Sequence, residues 1–299
     1  MPFGSVEQHA KHLPLGTDAY LSQQIAEDVA KETGTLIAPP VWTGWAPHHM
    51  AYKGTITLRP ETLTSIVEDM CESLIYHGFS KIILINGHRE ANLPPIKIGM
   101  TKVRNRTGAF LAIADPFYIN AEKGKELSEV AEGGIGHAEE LEASQMYHFF
   151  PDLCSPEKAE INIPKHHRFM QHDPHVSGDK MITASDVGTY RQATKGIGIM
   201  GDATKADAVK GKIYHDTMIA NIAEFVTYCE EKIDVEIRKK RYSFIKQNFF
   251  HEQILKNPAA VQINLTAAGF IRFFIMRSIF PRTDKWKSCT IEITGRISI

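Results

Sequence analysis

The stretch that decides the fold class is Lys81-Ile-Ile-Leu-Ile-Asn86, which runs directly into Gly87-His88-Arg89-Glu90. A continuous run of apolar and β-branched residues is typical of a strand that is buried on both faces of a parallel sheet. Gly87 permits an unusual backbone conformation where this strand has to turn. We therefore expect His88 and Glu90 to lie just beyond the carboxyl end of a parallel strand, where open α/β sheets place their functional sites.

The chain on either side of this strand alternates between strand and helix patterns. Strands are predicted over residues 35–41 and 109–114, and helices over residues 59–76, 138–149 and 205–231. A further helix should follow Glu90, broken or delayed by Pro94-Pro95. The alternation predicts an α/β fold with a mostly parallel sheet and helices on both faces, whereas residues 155–200 are loop-rich.

The composition bounds the class of protein. With 299 residues, of which 43 % are hydrophobic, the chain can form one large α/β domain or two small ones. Its four cysteines lack Cys-x-x-Cys spacing, which argues against a disulfide framework or a thiolate zinc site and favours a reducing cytoplasm. The first residues do not resemble a signal peptide, and no apolar run reaches the ~18 residues that span a bilayer. We expect a cytoplasmic protein without a membrane partner.

Residues 236–299 differ from the rest of the chain. They contain twelve Lys or Arg and only four Asp or Glu, although the whole chain has a formal charge of −1. We predict a domain over residues 1–235 and an atypical basic tail over residues 236–299 that is not part of the fold. The alternative is a helical extension that covers an oligomer surface. Nucleic-acid binding is not expected, because the tail lacks interleaved aromatic platforms and a recognisable module.

Two short segments each place a histidine and a carboxylate two residues apart. Glu7 and His9 can converge on one place if the chain is extended there, with Gln8 facing away. Asp18 follows a loop long enough to fold back. Together with the pair after the central strand, these residues form a nitrogen and oxygen ligand set that suits Zn²⁺, Mn²⁺ or Fe²⁺. One bridging carboxylate would hold two ions ~3.5–4 Å apart. The alternative is an ordinary surface pair, since Glu-x-His alone is a weak pattern.

Five segments together resemble the creatininase family. They occur in the family's order, which makes the match specific for the family but much less specific for any one substrate. They include Glu7-Gln8-His9, Asn86-Gly87-His88 and Gly136-His137-Ala138, and they span residues 4–18, 49–58, 86–90, 136–144 and 198–211.

The resemblance implies a three-layer α/β/α fold, a homo-oligomer that is usually a hexamer, and two divalent metal ions in each subunit. Glu7, Asp18 and His88 would hold one ion. His9, Asp18 and Glu90 would hold the other, so that Asp18 bridges the pair.

The resemblance also assigns residues around the metals. His137 matches a family histidine that transfers protons. Glu142 matches a carboxylate that would face the substrate, with a structural hydrogen bond as its alternative role, and His49 would line the mouth of the pocket. Arg89 stands where creatininase itself has Tyr, and it would suit an anionic or polyhydroxylated substrate. His12 is expected to be structural.

Two departures from the family argue against creatinine as the substrate: the replacement at Arg89 and the absence of Trp just before His137. The leading hypothesis is hydrolysis of another small cyclic or linear amide, in which metal-bound hydroxide attacks the carbonyl and His137 passes a proton to the leaving nitrogen. Within the family, the alternatives are opening of a cyclic polyol ketone and cleavage of a formamide or peptide.

The alternative from another class is a metal-binding assembly subunit without turnover. The position of the first motif close to Met1 also predicts a truncated N-terminus.

Overall fold

The computed structural model describes residues 1–130, 134–165, 184, 186–238, 261–265 and 271–275, except for the side chains of Glu90 and of the last two ranges. The central sheet is parallel. Strand β2 (Lys81–Asn86) lies between β1 (Pro2–Phe3) and β3 (Phe110–Ala114). The central strand is therefore confirmed with its predicted bounds.

Helices cover both faces of this sheet. On one face, α1 (Thr17–Thr33), α6 (Glu140–Phe149) and α8 (Ala208–Lys232) share a buried apolar cluster with Ile85. Because successive strand residues point to opposite faces, Ile82 and Leu84 face the other side, where α2 (Pro60–Tyr76) packs against α3 (Arg89–Thr107). The predicted α/β class with helices on both faces is confirmed.

Shorter elements complete the described part of the fold. They are α4 (Pro116–Ile119), α5 (Ala121–Leu127), α7 (Val187–Ala193), the antiparallel pair β4 (Ile161–Asn162) and β5 (Gly201–Asp202), and 3-10 turns that include Pro47–Ala51. The helix predicted over residues 138–149 begins two residues late, because Ala138 has a φ of 51° and Glu139 caps the helix with its side chain.

The predicted strand over residues 35–41 is wrong. Residues 35–40 form no ladder, and Val41 makes only an isolated bridge with Phe3. Two consecutive prolines, Pro39 and Pro40, lack the N–H donors that a strand requires. The apolar side chains of this segment instead line a cavity of about 420 Å³, together with residues such as Phe79 and Val226.

The prediction that Pro94-Pro95 breaks or delays the next helix is also wrong. Helix α3 starts at Arg89 and continues through both prolines. Here α3 packs closely on α2: a Cβ at Gly99 would lie 2.9 Å from Val67, and the Thr64 hydroxyl donates to the Pro95 carbonyl.

Contacts divide the chain into two units, Met1–Lys239 and Lys240–Ile299. In the second unit, β6 (Val261–Leu265) pairs antiparallel with β7 (Ile271–Ile275), so a helical extension is wrong for these residues. In the first unit, the Arg238 N–H donates to the Thr107 carbonyl, beyond the predicted domain end at residue 235. The independence of the tail stays a prediction.

Among the described helices, none is both long and apolar enough to cross a bilayer.

Candidate metal centre

Backbone contacts bring the two histidine–carboxylate segments together. The parallel pairing of Phe3 with Asn86 places the chain after β1 beside the end of β2. Asp18 lies in the first turn of α1, and His88 is the N-cap of α3. Gly87 packs on α1 so closely that a Cβ there would lie 2.3 Å from the Asp18 carbonyl oxygen. The absence of a side chain at Gly87 therefore allows Asp18 and His88 to approach each other.

The first half of the site contains buried carboxylates with two histidines, and we call it the acidic group: Glu7, His9, Asp18, His88 and Glu142. His88 Nδ1 lies 3.0 Å from Glu7 Oε2 and 3.5 Å from Asp18 Oδ2. His9 Nε2 lies 3.2 Å from Asp18 Oδ1 and 3.3 Å from Glu142 Oε1. Asp18 thus touches both histidines, one with each oxygen, which is the arrangement expected of a bridging carboxylate.

The second half we call the neutral group: His48, His49, His137 and Tyr190. His49 Nε2 lies 3.2 Å and His137 Nδ1 lies 3.7 Å from the same Glu7 oxygen, Oε1. The Tyr190 ring packs edge-on against His48 and His49. Glu7 therefore stands between the two groups, with one oxygen turned towards each.

Gln8 holds the neutral group in place. Its Oε1 accepts from the Ala10 N–H, and its Nε2 donates to the Gly198 carbonyl and lies 3.1 Å from His49 Nδ1. The same Nε2 also lies 2.9 Å from His137 Nε2. In the tautomer that carries its proton on Nε2, His49 accepts from Gln8 with Nδ1 and presents its N–H to Glu7. The expectation that Gln8 faces away from the site in an extended strand is therefore wrong. Regular strand ends at Phe3, and Ala10 turns the chain with a φ of 55°.

The electrostatics of the two groups are opposite. Burial alone would raise the pKa of Glu7, but His49 and His88 outweigh it and hold the pKa well below its usual range. Burial and the Glu7 charge raise the pKa of Asp18 to about 7. By contrast, burial lowers the pKa of His48 and of His137 to about 4, and that of His49 well below its usual value. The histidines of the neutral group are therefore uncharged.

The acidic group fits a cation. Glu7 Oε1 and Oε2, Asp18 Oδ2 and His88 Nε2 are buried and form no hydrogen bond of normal geometry with described residues. Ligand atoms of Glu7, Asp18 and His88 lie within 4.8 Å of one another. A second set at the same spacing, His9, Glu142 and His137, includes one histidine of the neutral group. Several carboxylates buried together are costly unless positive charge compensates them. The donor set of carboxylate oxygen and imidazole nitrogen suits Zn²⁺ or Mn²⁺.

The remaining predicted site residues lie at different places around the two groups. Arg89 is held by Asp115 at 3.0 Å and lies over the Tyr118 ring. His49 is only 1 % exposed, so it lies inside the site rather than at its mouth. Glu142 accepts from the Ala138 N–H with Oε2, which leaves Oε1 for His9. The Glu90 side chain lies outside the described residues.

Sequence reasoning missed part of the neutral group. His48 is adjacent to a predicted site residue, so the His48-His49 pair was a usable signal. Tyr190 lies in the segment for which no structure was predicted, and no local pattern distinguishes it. His12 is buried, as expected of a structural residue, and burial lowers its pKa to about 4.

Comparison with known proteins agrees with this geometry. Residues 1–226 match the creatininase family, described as creatinine amidohydrolase. The chain belongs to this family of hydrolases.

Relatives in the creatininase family have different substrates. The chain is 30 % identical to the 3-dehydro-scyllo-inosose hydrolase of Thermotoga maritima, over 71 % of each protein. It is 24 % identical to the mycofactocin precursor peptide peptidase of Mycobacterium ulcerans, over 71 % of this chain and 77 % of that protein. A solved structure described as creatininase Mn has a TM-score of 0.64 at 22 % identity, covering 77 % of this chain and 89 % of that one.

Proposed function

We propose that this creatininase-family hydrolase cleaves a small cyclic or linear amide with two divalent ions held by residues of the acidic group together with Glu90. Glu7, Asp18 and His88 would hold one ion, and His9, Asp18 and Glu90 the other. The single observation that supports this proposal most is Asp18, whose two oxygens face a histidine on either side. Bound there, the two ions would supply Lewis acidity for the carbonyl and lower the pKa of water towards neutrality.

His137 is the proposed catalytic residue. Its Nε2 lies 2.7 Å from the Gln8 carbonyl oxygen and 2.9 Å from the Gln8 amide nitrogen, and its Nδ1 lies 3.7 Å from Glu7. In the tautomer that donates Nε2–H to the Gln8 carbonyl, the Nδ1 lone pair is free to take up a proton. Burial and the neighbouring His9 keep this imidazole neutral by lowering its pKa to about 4. A neutral Nδ1 can accept a proton from the attacking water and then give it to the leaving nitrogen.

A second candidate substrate is a cyclic polyol ketone, which would be opened by water. The observation in its favour is the 30 % identity with the Thermotoga maritima hydrolase. Arg89 would contribute to such a site as a cation at the start of α3, held in one orientation by Asp115 and Tyr118. The proposed substrate-facing role of Glu142 applies to either candidate.

Assembly and location are proposed with the function. A homo-oligomer, hexameric by family resemblance, and a cytoplasmic location are consistent with the resemblance and with the free thiols of Cys71, Cys154 and Cys229.

A substrate screen on protein loaded separately with Zn²⁺ and with Mn²⁺ tests the proposal. Lactams, hydantoins and formamides form one arm, 3-dehydro-scyllo-inosose the second, and creatinine the third. We expect turnover in one of the first two arms, loss of turnover with a chelator and recovery on re-addition of metal, with creatinine slow or inert. Metal-loaded protein that hydrolyses nothing in any arm would favour the non-catalytic subunit instead.

A further inference from the structure

Helix α7 contributes one side chain to the interior of the protein. The helix begins with a capping box, in which the Asp186 side chain accepts from two N–H groups while the Thr189 hydroxyl reaches back. It packs on the 3-10 turn that carries His48 and His49. Tyr190 is the buried residue of this helix, and it therefore reaches the candidate metal centre from outside the central fold.

The ring of Tyr190 forms a wall of the site. Its centroid lies 4.6 Å from that of His49 and 6.4 Å from that of His137. Tyr52 supports the same region, because its hydroxyl bonds to Thr194 just after α7. These contacts fix the position of the phenol next to the proposed proton-transfer residue.

The Tyr190 hydroxyl is buried and has no hydrogen bond of normal geometry to a described residue. Gln8 lies close enough to interact with it, but the Gln8 amide nitrogen already lies within hydrogen-bond distance of Gly198, His49 and His137, and the amide oxygen accepts from Ala10. Burial and the charges of Glu7 and Glu142 raise the pKa of the phenol, so that it keeps its proton. A buried donor without an acceptor costs free energy and calls for a physical explanation.

We propose that the Tyr190 hydroxyl donates a hydrogen bond to the carbonyl oxygen of the bound substrate, and that this bond strengthens as negative charge develops on the oxygen. This inference rests on the proposed hydrolytic function. With this role, Tyr190 of the neutral group is a catalytic residue, because its hydroxyl contacts the reacting carbonyl. A preorganised donor in a water-poor site stabilises a developing oxyanion without reorganisation.

The variant Tyr190→Phe removes only the hydroxyl. Tyr214→Phe is the matched control, because the Tyr214 hydroxyl is also buried without a hydrogen-bond partner among the described residues but lies in the apolar cluster of α8. Both variants should retain the metal content of the wild type. For the best substrate of the screen, kcat should fall about 10²–10³-fold in Tyr190→Phe, the typical loss for one oxyanion donor. It should stay near the wild-type value in Tyr214→Phe.

A second readout does not depend on turnover. Inorganic phosphate, a tetrahedral oxyanion, is titrated calorimetrically into the zinc-loaded proteins. Its Kd should weaken about tenfold in Tyr190→Phe, the loss expected for one charge-assisted hydrogen bond. A Kd and kcat equal to those of Tyr214→Phe would overturn the proposal, as would a wild type that does not bind phosphate. If phosphate affinity falls in Tyr190→Phe but no substrate is hydrolysed, the donor role stands and the hydrolytic function fails.

Discussion

The acidic group and the neutral group use the same side chain, histidine, in opposite charge states. In the acidic group, burial opposes the charge of His88, but Glu7 raises its pKa to about 9. In the neutral group, burial lowers the pKa of His137 to about 4, even though Glu7 lies within 3.7 Å. The difference arises because Glu7 is the strongest charge acting on His88, at 3.0 Å and with a hydrogen bond, whereas the strongest charge acting on His137 is that of His9, and Glu7 lies farther away at 3.7 Å.

One small site can therefore separate two tasks. Carboxylates concentrated on one side favour positive charge there, which suits cation binding. On the other side, uncharged imidazoles keep a lone pair available and a phenol keeps its proton, which suits proton transfer and hydrogen bonding. Four predictions test the separation, beginning with the largest expected effect.

Asp18→Ala should remove both metal ions and abolish activity, because Asp18 is the proposed bridge of the acidic group. Metal content measured by mass spectrometry should fall from about two ions per chain to near zero. Glu90→Gln should mainly weaken the binding of one of the two ions. Asp28→Asn, which changes a carboxylate paired with His215 in the α1–α8 packing, should keep both. An Asp18→Ala protein with full metal content would show that the acidic group is not the metal site.

His137→Ala should lower kcat about 10²–10⁴-fold while metal content stays unchanged, because general acid–base groups contribute about that much. The control is His215→Ala, which removes a buried histidine that bonds to Asp28 rather than to the site. It should melt earlier and keep kcat. The reverse pattern, full activity with a lower Tm in His137→Ala, would make His137 structural.

His49→Phe should reduce metal affinity or kcat about 10–100-fold, the usual loss for a group that orients a metal ligand. The phenyl ring preserves the packing on Tyr190 but cannot donate to Glu7 or accept from Gln8. His77→Phe changes an exposed histidine and should have no effect. Equal metal titrations for the two variants would show that the neutral group does not position the acidic one.

Glu139 provides the smallest and most specific test. Glu142 has its pKa lowered to about 2, because His9 outweighs the effect of burial. Glu139 is equally buried without such a partner, and burial raises its pKa to about 8. Since the native state holds this proton and the unfolded state releases it above about 4.5, stability should fall as pH rises from about 4.5 to 8.

The measurement is the Tm of wild type and Glu139→Gln across this pH window. The wild type should lose stability relative to the variant as pH rises, because glutamine has no proton to release. If the two Tm curves run parallel across this window, Glu139 is not protonated in the folded protein. Burial would then not be enough to raise the pKa of a carboxyl group that also caps α6.

The parts of the fold that were predictable are those with a strong local pattern. Strand β2 is buried on both faces and so is a continuous apolar run, and α2 is bounded by Pro60 and Gly78. Residues 35–41 show the limit of this reasoning, since an apolar segment can line a cavity as well as join a sheet. Pro94-Pro95 shows another limit, because packing of α3 on α2 overrides a local helix-breaking signal.

Some residues of the candidate site could also be predicted from local sequence patterns, and others could not. Glu7, His9, Asp18 and His88 were predictable because each lies in a short motif, and their convergence follows from the parallel pairing of β1 with β2. The roles assigned to them stay predictions. Tyr190 and the bonds of Gln8 depend on tertiary contacts between distant segments, and spacing along the chain holds no information about them.

In directed evolution of this enzyme, Gly87 is a position that should not tolerate substitution. A Cβ at position 87 would lie 2.3 Å from the Asp18 carbonyl oxygen, so any randomised side chain there would push the two ligand segments apart. Helix α7 should tolerate substitution well, since it is seven residues long and only one of its side chains is buried. Exchange of α7 as one short cassette would therefore replace the proposed Tyr190 donor while the segments that carry Glu7, Asp18 and His88 stay unchanged.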